Sequence, residues 1–221
     1  MNGFFLLIDA GANTQVRPSQ LAQFALMGSS FFRSYFPGHP GTIGILSNGG
    51  EESKGTDLTR ETNEILKKIQ EDGLLPAGIY RGYVEGRDLF RPVVDVVVCD
   101  GFTGNILLKG FEGLASATLD IIRNEVKNNW LSKLGMIFAM GALKKVKGRM
   151  DYAEVGGAPL IGVNGHAFIS HGGSTPKAIK NAIRKAAEAA SQDIPGALKE
   201  IIQKTKGYVG PSGAQRSEEI E

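Results

Sequence analysis

Hydrophobic residues along this chain alternate between short continuous apolar runs and longer stretches with helical spacing. The apolar runs 4–9, 42–47 and 93–99 predict strands. The last run is the richest in β-branched residues and lacks polar alternation, which is typical of a central strand. Amphipathic helices are predicted from about Ser19 and over residues 56–70. Strands that alternate with helices predict an α/β fold with a mostly parallel sheet.

The second half of the chain is less regular. A helix is predicted from about Asn105 to Lys127, after which the alternation breaks over residues 128–150. A glycine-rich strand region and a helix rich in Ala and Lys follow. Residues 206–221 are polar and predict a disordered tail.

Composition and charge exclude several classes of protein. The net charge of +2 is close to neutral, and aromatic residues are not interleaved with basic runs, so no nucleic-acid partner is expected. The single cysteine, Cys99, excludes an internal disulfide and predicts a small buried filler. The N-terminus has no basic leader, and the longest uncharged apolar stretch, 134–143, is too short to span a bilayer. A cytoplasmic protein is therefore predicted.

Three glycine-bearing loops follow predicted strands, at 48–55, 99–105 and 171–175. In an open parallel sheet such loops gather at the carboxyl ends of the strands, where ligands bind. Glycine lets backbone N–H groups approach an anion, and the helix that follows offers its positive end. No Walker A loop, dinucleotide fingerprint or nucleophile elbow occurs. The loops therefore predict a site for a small phosphate-bearing reactant.

Six segments together closely resemble one family. They are DAGAN (9–13), NGGEESKG (48–55), YVEGRDLF (83–90), DVVVCDGFTGNILLK (95–109), DYAEVGGAPLIGVNG (151–165) and HGGSTPKAIKNAIR (171–184). The segments resemble phosphate acyltransferase, the PlsX family of bacterial phospholipid synthesis. The resemblance extends in order from about Leu6 to Ala187.

The resemblance implies an enzyme that transfers a long acyl chain from acyl carrier protein (ACP) to inorganic phosphate. A membrane acyltransferase then passes the acyl group of the acyl-phosphate product to glycerol 3-phosphate. The family also implies a homodimer, no metal or nucleotide cofactor, and a three-layer α/β/α fold. That fold is similar to isocitrate and isopropylmalate dehydrogenases and to phosphotransacetylase.

One feature of the family has no counterpart in this sequence. Family members begin with a segment carrying an LDAMGGD-like motif, so the chain is expected to be N-terminally truncated. Residues 1–205 are then the C-terminal portion of the α/β/α domain, with 128–150 as an inserted basic apolar helix.

The predicted site residues follow from residue type, loop position and the resemblance. The predicted catalytic residues are Asn105 and Lys109, with His171 assisting proton transfer. Lys54, Arg87 and Lys109 are expected to offset the charge of the anion. The predicted substrate-binding residues are Asn13, Asn48, Glu51, Lys54, Glu85, Arg87, Asp88, Asp100, Gly101, Gly104, Gly172 and Ser174.

The segment from Val126 to Met150 contains six basic residues and no acid around an apolar centre. Such a helix can lie in the headgroup region of an anionic bilayer, which predicts peripheral membrane association. The predicted membrane-binding residues are Trp130, Leu134, Ile137, Phe138, Leu143, Lys144 and Lys145. Packing in a core or dimer interface and binding of the acidic carrier protein remain alternatives.

Two further functions are left open. The first is a catalytically inactive truncated remnant that dimerises and binds membrane or ACP. The second is an enzyme of the same fold that uses coenzyme A and a short acyl group, which the long apolar segment and the closer motif match disfavour.

Overall fold

The computed structural model describes residues 4–91, 93–128, 135–136, 138–141, 156–170 and 172–210. The chain divides into two compact units, where the sequence predicted one domain with an insertion. The first unit contains Met1–Asn105, Ile161–Gly165 and Ala189–Glu221. The second unit contains Ile106–Leu160 and His166–Glu188.

A four-stranded sheet forms the centre of the first unit. Its strands are β1 (Leu6–Ile8), β2 (Ile43–Ser47), β3 (Tyr80–Glu85) and β4 (Val96–Val98). All neighbouring strands are parallel, in the spatial order β1, β4, β2, β3. The three valines of β4 are buried between two partner strands, as the β-branched pattern of this segment predicted. All four strands therefore end at one edge of the sheet, which we call the carboxyl edge.

Two amphipathic helices cover the sheet of the first unit. Helix α1 (Pro18–Tyr35) contacts β4, β1 and β2, and helix α2 (Asp57–Glu71) contacts β3 and β2. The two helices also contact each other. Because apolar residues recur at helical spacing on one face of each helix, those faces are buried in a shared core. The largest fully buried side chains of this core include Leu21, Leu26, Ile43, Ile45, Leu66 and Ile69.

Helix α3 (Gly101–Asn128) begins directly after β4. The sequence predicted a glycine-bearing loop over 99–105 and a helix from about Asn105, and the loop prediction is wrong for residues 101–104, which are helical. The Asp100 carboxylate accepts hydrogen bonds from the backbone N–H of Thr103 at 2.8 Å and from its hydroxyl at 2.7 Å. Asp100 thus caps the helix four residues earlier than the glycines of this segment suggested, because side-chain capping outweighs poor helix propensity.

The second unit contains a two-stranded sheet and helix α4 (Pro176–Ala190), most of which belongs to this unit. Strands β5 (Ala158–Leu160) and β6 (Ala167–Ile169) pair antiparallel. The Thr175 hydroxyl accepts a hydrogen bond from the backbone N–H of Ala178 at 3.3 Å and so caps α4. The turn before β5 approaches α4 closely, since a Cβ added at Gly156 would lie 2.5 Å from the Ala182 nitrogen.

Two helices complete the first unit. Helix α5 (Ile194–Lys204) packs against α1, and helix α6 (Lys206–Val209) contacts α1 and α2. Val209 is buried in the core, and the Tyr208 hydroxyl donates a hydrogen bond to Asp72. The predicted disordered tail is therefore wrong for Lys206–Val209, because one buried valine and one tyrosine contact hold this segment. Residues 211–221 lie outside the described part of the chain.

Candidate functional site

The carboxyl edge of the sheet brings together the segments that follow the strands of the first unit. In the parallel register, Ile8 of β1 and Ile45 of β2 both pair with Val98 of β4. Ser47 at the end of β2 pairs with Glu85 at the end of β3. Predicted site residues follow each of the four strands, so they lie at the edge where ligands of open parallel sheets bind.

Asp9 follows β1 and is the most strongly hydrogen-bonded side chain at this edge. Its Oδ1 accepts from the N–H groups of Gly11 and Ala12, both at 2.8 Å. Its Oδ2 accepts from the backbone N–H of Asn13 at 2.7 Å and from the Asn13 side-chain amide at 2.8 Å. Burial favours the neutral acid, but the hydrogen bonds from Ala12, Asn13 and Gly11 outweigh burial and lower the pKa of Asp9. Asp9 is therefore an ionised carboxylate held in a cup of amides.

The Asp9 loop and the start of α3 pack backbone against backbone. The Gly101 N–H donates to the Asn13 carbonyl at 2.8 Å, and the Asp9 N–H donates to the Cys99 carbonyl at 2.9 Å. A Cβ added at Gly104 would lie only 1.9 Å from the Asp9 carbonyl oxygen. Glycine is required at 101 and 104 because the two segments touch. The sequence predicted these glycines as an anion-binding loop, and the structure shows their N–H groups hydrogen-bonded within the protein.

Asn105 and Asn13 are exposed residues of this edge that lie beside the Asp9 loop. A Cβ added at Gly11 would lie 3.5 Å from both Cβ and Cγ of Asn105, so the Gly11 backbone lies directly beside the Asn105 side chain. The structure therefore brings Asn13, Asp100 and Asn105 together around the Asp9 loop, and leaves the Asn105 amide open to solvent.

The loop 48–55 follows β2 and carries the predicted residues Asn48, Glu51 and Lys54. The Asn48 side-chain oxygen accepts from the Gly55 N–H at 2.9 Å and closes the loop. The neighbouring Glu52 carboxylate is paired with Lys67. Among the described residues, none forms an ion pair with Lys54. Lys54 is thus an exposed cation available to an anion at this edge.

The turn after β3 carries Glu85, Arg87 and Asp88. The Arg87 guanidinium pairs with the Glu85 carboxylate at 2.9 Å, and 78% of the Arg87 side chain is exposed. The Asp88 carboxylate accepts from the Glu85 N–H at 3.2 Å. Asp88 and Glu85 therefore shape the turn, while Arg87 is held by one exposed contact that an anionic ligand can replace.

Other predicted site residues belong to the second unit. Lys109 pairs with Glu112 on α3 at 2.9 Å. The Ser174 hydroxyl lies 2.9 Å from the Ser170 hydroxyl, and Gly172 lies in an exposed turn. His171 lies outside the described residues, so its predicted role stays a prediction.

Most of the predicted membrane-binding residues also lie outside the described residues: Trp130, Leu134, Ile137, Leu143, Lys144 and Lys145. The remaining one, Phe138, exposes 90% of its surface. None of the helices in the described part of the chain is long and apolar enough to cross a membrane.

Cys99 directly follows β4 beside the candidate site but is not suited to nucleophilic catalysis. The residue is buried, and its thiol lies 3.6 Å from the Asp9 carbonyl oxygen. Burial, with the nearby charges of Asp100 and Asp9, raises the pKa of Cys99 to about 12. The thiol is therefore protonated at neutral pH, and Cys99 fills space as the sequence predicted.

Asp9 is a residue of the candidate site that was not predicted from the sequence. The signal in the sequence is an acidic residue that directly follows an apolar strand and precedes Gly11 and Asn13. This arrangement is typical of a side chain that hydrogen-bonds the backbone that follows it. The described residues contain no cluster of three or more His, Cys, Asp or Glu side chains that could hold a metal ion.

Comparison with known proteins finds a matching family and several similar sequences. Residues 1–196 match the family described as "Fatty acid synthesis protein". The phosphate acyltransferase of Geobacter sulfurreducens is 50% identical over 203 residues, which cover 92% of this chain and 57% of that protein. The phosphate acyltransferase of Pelobacter propionicus is 48% identical over 204 residues, covering 92% and 56%. That of Trichlorobacter lovleyi is 45% identical over 215 residues, covering 97% and 60%. The chain thus spans somewhat more than half the length of these curated relatives.

Proposed function

The chain belongs to the family of fatty acid synthesis proteins, and we propose that it is an acyltransferase acting on phosphate. The reaction transfers a long-chain acyl group from ACP to inorganic phosphate, and a membrane acyltransferase then uses the acyl-phosphate to acylate glycerol 3-phosphate. The name of the three relatives, phosphate acyltransferase, supports the reaction class. The long acyl chain and the carrier protein are inferred from the resemblance of the sequence motifs.

The observation that carries this proposal is the arrangement of the carboxyl edge. Asn105 offers an exposed amide beside the Asp9 loop, and Lys54, which follows the neighbouring strand, has an ammonium group without an ion-pair partner among the described residues. A phosphate needs positive charge, and a reacting carbonyl needs a hydrogen-bond donor. These two requirements are matched by Lys54 and Asn105, with Arg87 as a second cation.

The chemical step requires no covalent enzyme intermediate. A phosphate oxygen, already anionic at neutral pH, attacks the thioester carbonyl carbon, and the carbon–sulfur bond then breaks. The products are acyl-phosphate and the carrier thiolate, which takes up a proton. In this proposal Lys54 and Arg87 hold the phosphate, and the Asn105 amide donates to the developing oxyanion. The protonated thiol of Cys99 agrees with direct attack.

The proposal also covers the class of α/β fold and the oligomeric state. We infer a three-layer α/β/α fold like that of isocitrate and isopropylmalate dehydrogenases, and a homodimer. The parallel sheet covered by α1 and α2 supports this fold without distinguishing it from other α/β folds.

The catalytic proposal is tested by phosphate-dependent release of the carrier thiol from acyl-ACP, with the acyl-phosphate trapped by hydroxylamine. Asn105→Ala is expected to lower turnover by about 100-fold or more, as loss of an oxyanion donor does. Lys54→Gln is expected to raise the KM for phosphate about 10-fold. Lys68→Gln is the matched control, because Lys68 is an exposed lysine of α2 paired with Asp72. Equal kinetics in all three variants would reject these assignments.

A non-catalytic protein that binds membrane or ACP is the second candidate. The exposed apolar side chain of Phe138, in a segment rich in basic residues, favours membrane binding. When anionic vesicles are sedimented, the wild-type chain is expected in the pellet with the lipid, and the Phe138→Glu variant is expected in the supernatant. No thiol release, with or without added phosphate, together with vesicle binding would select this second candidate over the acyltransferase.

A further inference from the structure

Asp9 is a buried carboxylate at the candidate site for which the proposed chemistry has no use. Three consecutive N–H groups and one side-chain amide converge on its two oxygens at 2.7–2.8 Å. Converging backbone N–H groups of this kind form a nest that binds anions in many proteins. In this chain the anion in the nest is one of the protein's own side chains.

The nest is joined to the rest of the site through two contacts. Asn13, which gives the Asp9 carboxylate two of its hydrogen bonds, accepts at its carbonyl from the N–H of Gly101 at the start of α3. Gly11, which gives a third, lies against the Asn105 side chain. The Asp9 carboxylate therefore holds both the backbone beside Asn105 and the first turn of the helix that carries Asn105.

We propose that Asp9 is a positioning residue whose carboxylate permanently fills the anion nest of residues 11–13, so that free phosphate is excluded from the nest and Asn105 is held in place. This inference rests on the proposed acyl transfer. It adds that phosphate binds beside β4 and β2, near Asn105 and Lys54, and that the amides directly after β1 do not bind it.

Chemical rescue tests the proposal independently of catalysis. Asp9→Ala empties the nest, and formate is small enough to replace the lost carboxylate. Formate is expected to raise the melting temperature of Asp9→Ala by several degrees, with no equal rise for the wild type or for Asp95→Asn. Asp95 is the matched control because it also accepts a backbone N–H hydrogen bond, at 2.8 Å from Thr42, at the opposite edge of the same sheet. A folded Asp9→Ala that does not respond to formate would overturn the proposal.

Turnover gives the second readout. Asp9→Ala is expected to lose at least 10-fold in kcat for acyl transfer and to regain part of it with formate, while Asp95→Asn keeps the wild-type kcat. A general loss of structure would not respond to formate in this way. If formate restores the melting temperature of Asp9→Ala but not its turnover, the positioning role is overturned. If the wild-type chain shows no acyl transfer, the proposed function is rejected. The formate-dependent melting temperature then still tests whether the Asp9 carboxylate fills the nest.

A measurement on the wild type keeps the proposal testable if Asp9→Ala does not fold. Inorganic phosphate is titrated while the amide resonances of the protein are followed by NMR. The backbone amides of Gly11, Ala12 and Asn13 are expected to stay unchanged at concentrations that shift the Asn105 side-chain amide. Phosphate-dependent shifts at residues 11–13 equal to those at Asn105 would show that the nest is open to phosphate and would refute its permanent occupation.

Discussion

The two edges of the parallel sheet each carry an aspartate that accepts hydrogen bonds from backbone amides, yet the surroundings of the two carboxylates differ. At the carboxyl edge, Asp9 lies among glycines and next to the exposed residues Asn13 and Asn105. At the opposite edge, Asp95 accepts from the Thr42 N–H at 2.8 Å and hydroxyl at 3.0 Å. His39 lies 3.5 Å from the second Asp95 oxygen.

Aromatic side chains complete the contrast. The ring of Phe36 lies 4.6 Å from that of Phe4 and 4.8 Å from that of Phe32. The His39 ring lies 5.7 Å from that of Phe4. Carboxylate hydrogen bonds at this edge therefore join strand ends to an apolar cluster, whereas those at the carboxyl edge support polar groups that face solvent. Within one sheet, the same kind of capping bond serves packing at one edge and a candidate ligand site at the other.

The largest expected effect comes from filling the contact between α3 and the Asp9 loop. Gly104→Ala places a methyl group 1.9 Å from the Asp9 carbonyl oxygen, so two backbone segments must separate. We expect a loss of about 3 kcal/mol or more in the free energy of unfolding, measured in urea. Gly113→Ala is the control on the same helix, because nothing lies within 4 Å of its added methyl group. This control is expected to gain about 0.5–1 kcal/mol from helix propensity, and an equal response of both variants would contradict the close contact.

A smaller effect is expected from removing the charge of Asp9. Because hydrogen bonds lower the pKa of Asp9 in the folded state, its stabilising contribution is complete above the unfolded pKa of about 4. The contribution is lost as pH falls through the lower folded value. Asp9→Asn is therefore expected to lose about 1.5–3 kcal/mol at pH 7 and to depend less on pH than the wild type below pH 4.

Urea unfolding at a series of pH values measures this dependence. Asp57→Asn is the control, because Asp57 is an exposed carboxylate of α2, and its stability is expected to stay within about 0.5 kcal/mol of wild type at pH 7. Parallel pH profiles for the wild type and Asp9→Asn would show that the Asp9 carboxylate is not specially stabilised in the folded state.

The smallest effect is expected at Cys99, whose neutral thiol lies near Asp9 and Asp100. Burial raises the pKa of Cys99 to about 12, so the native thiol should not react with a disulfide reagent at pH 8, and should react fully in urea. Since the chain has one cysteine, the coloured thiolate that the disulfide reagent releases measures the reaction of this residue alone. Cys99→Ala is expected to leave acyl transfer unchanged. Rapid labelling of the native chain would contradict both its burial and its raised pKa.

Much of the fold was predictable because the relevant signals are local. The run of valines at 96–98 predicted a central strand, and β4 is paired on both sides. The first residues of α3 were not predictable from helix propensity, because Gly101 and Gly104 disfavour a helix. Their presence is explained by the contacts of Gly101 with Asn13 and of Gly104 with Asp9, which lie 88 and 95 residues earlier in the chain. Val209 likewise is a core residue because α6 docks on α1 and α2.

The sequence by itself determined the parallel α/β architecture, the segments that follow the strands, and the resemblance to a phosphate acyltransferase. These properties depend on apolar periodicity and on motifs that are read locally. Only the tertiary structure decided which groups at the carboxyl edge are free to bind a ligand. The N–H groups of residues 11–13 and of Gly101 are already hydrogen-bonded, while Asn105 and Lys54 face solvent. Hydrogen-bond partners are fixed by how the strand β1 and the helix α3 meet, and that meeting joins residues far apart in the chain.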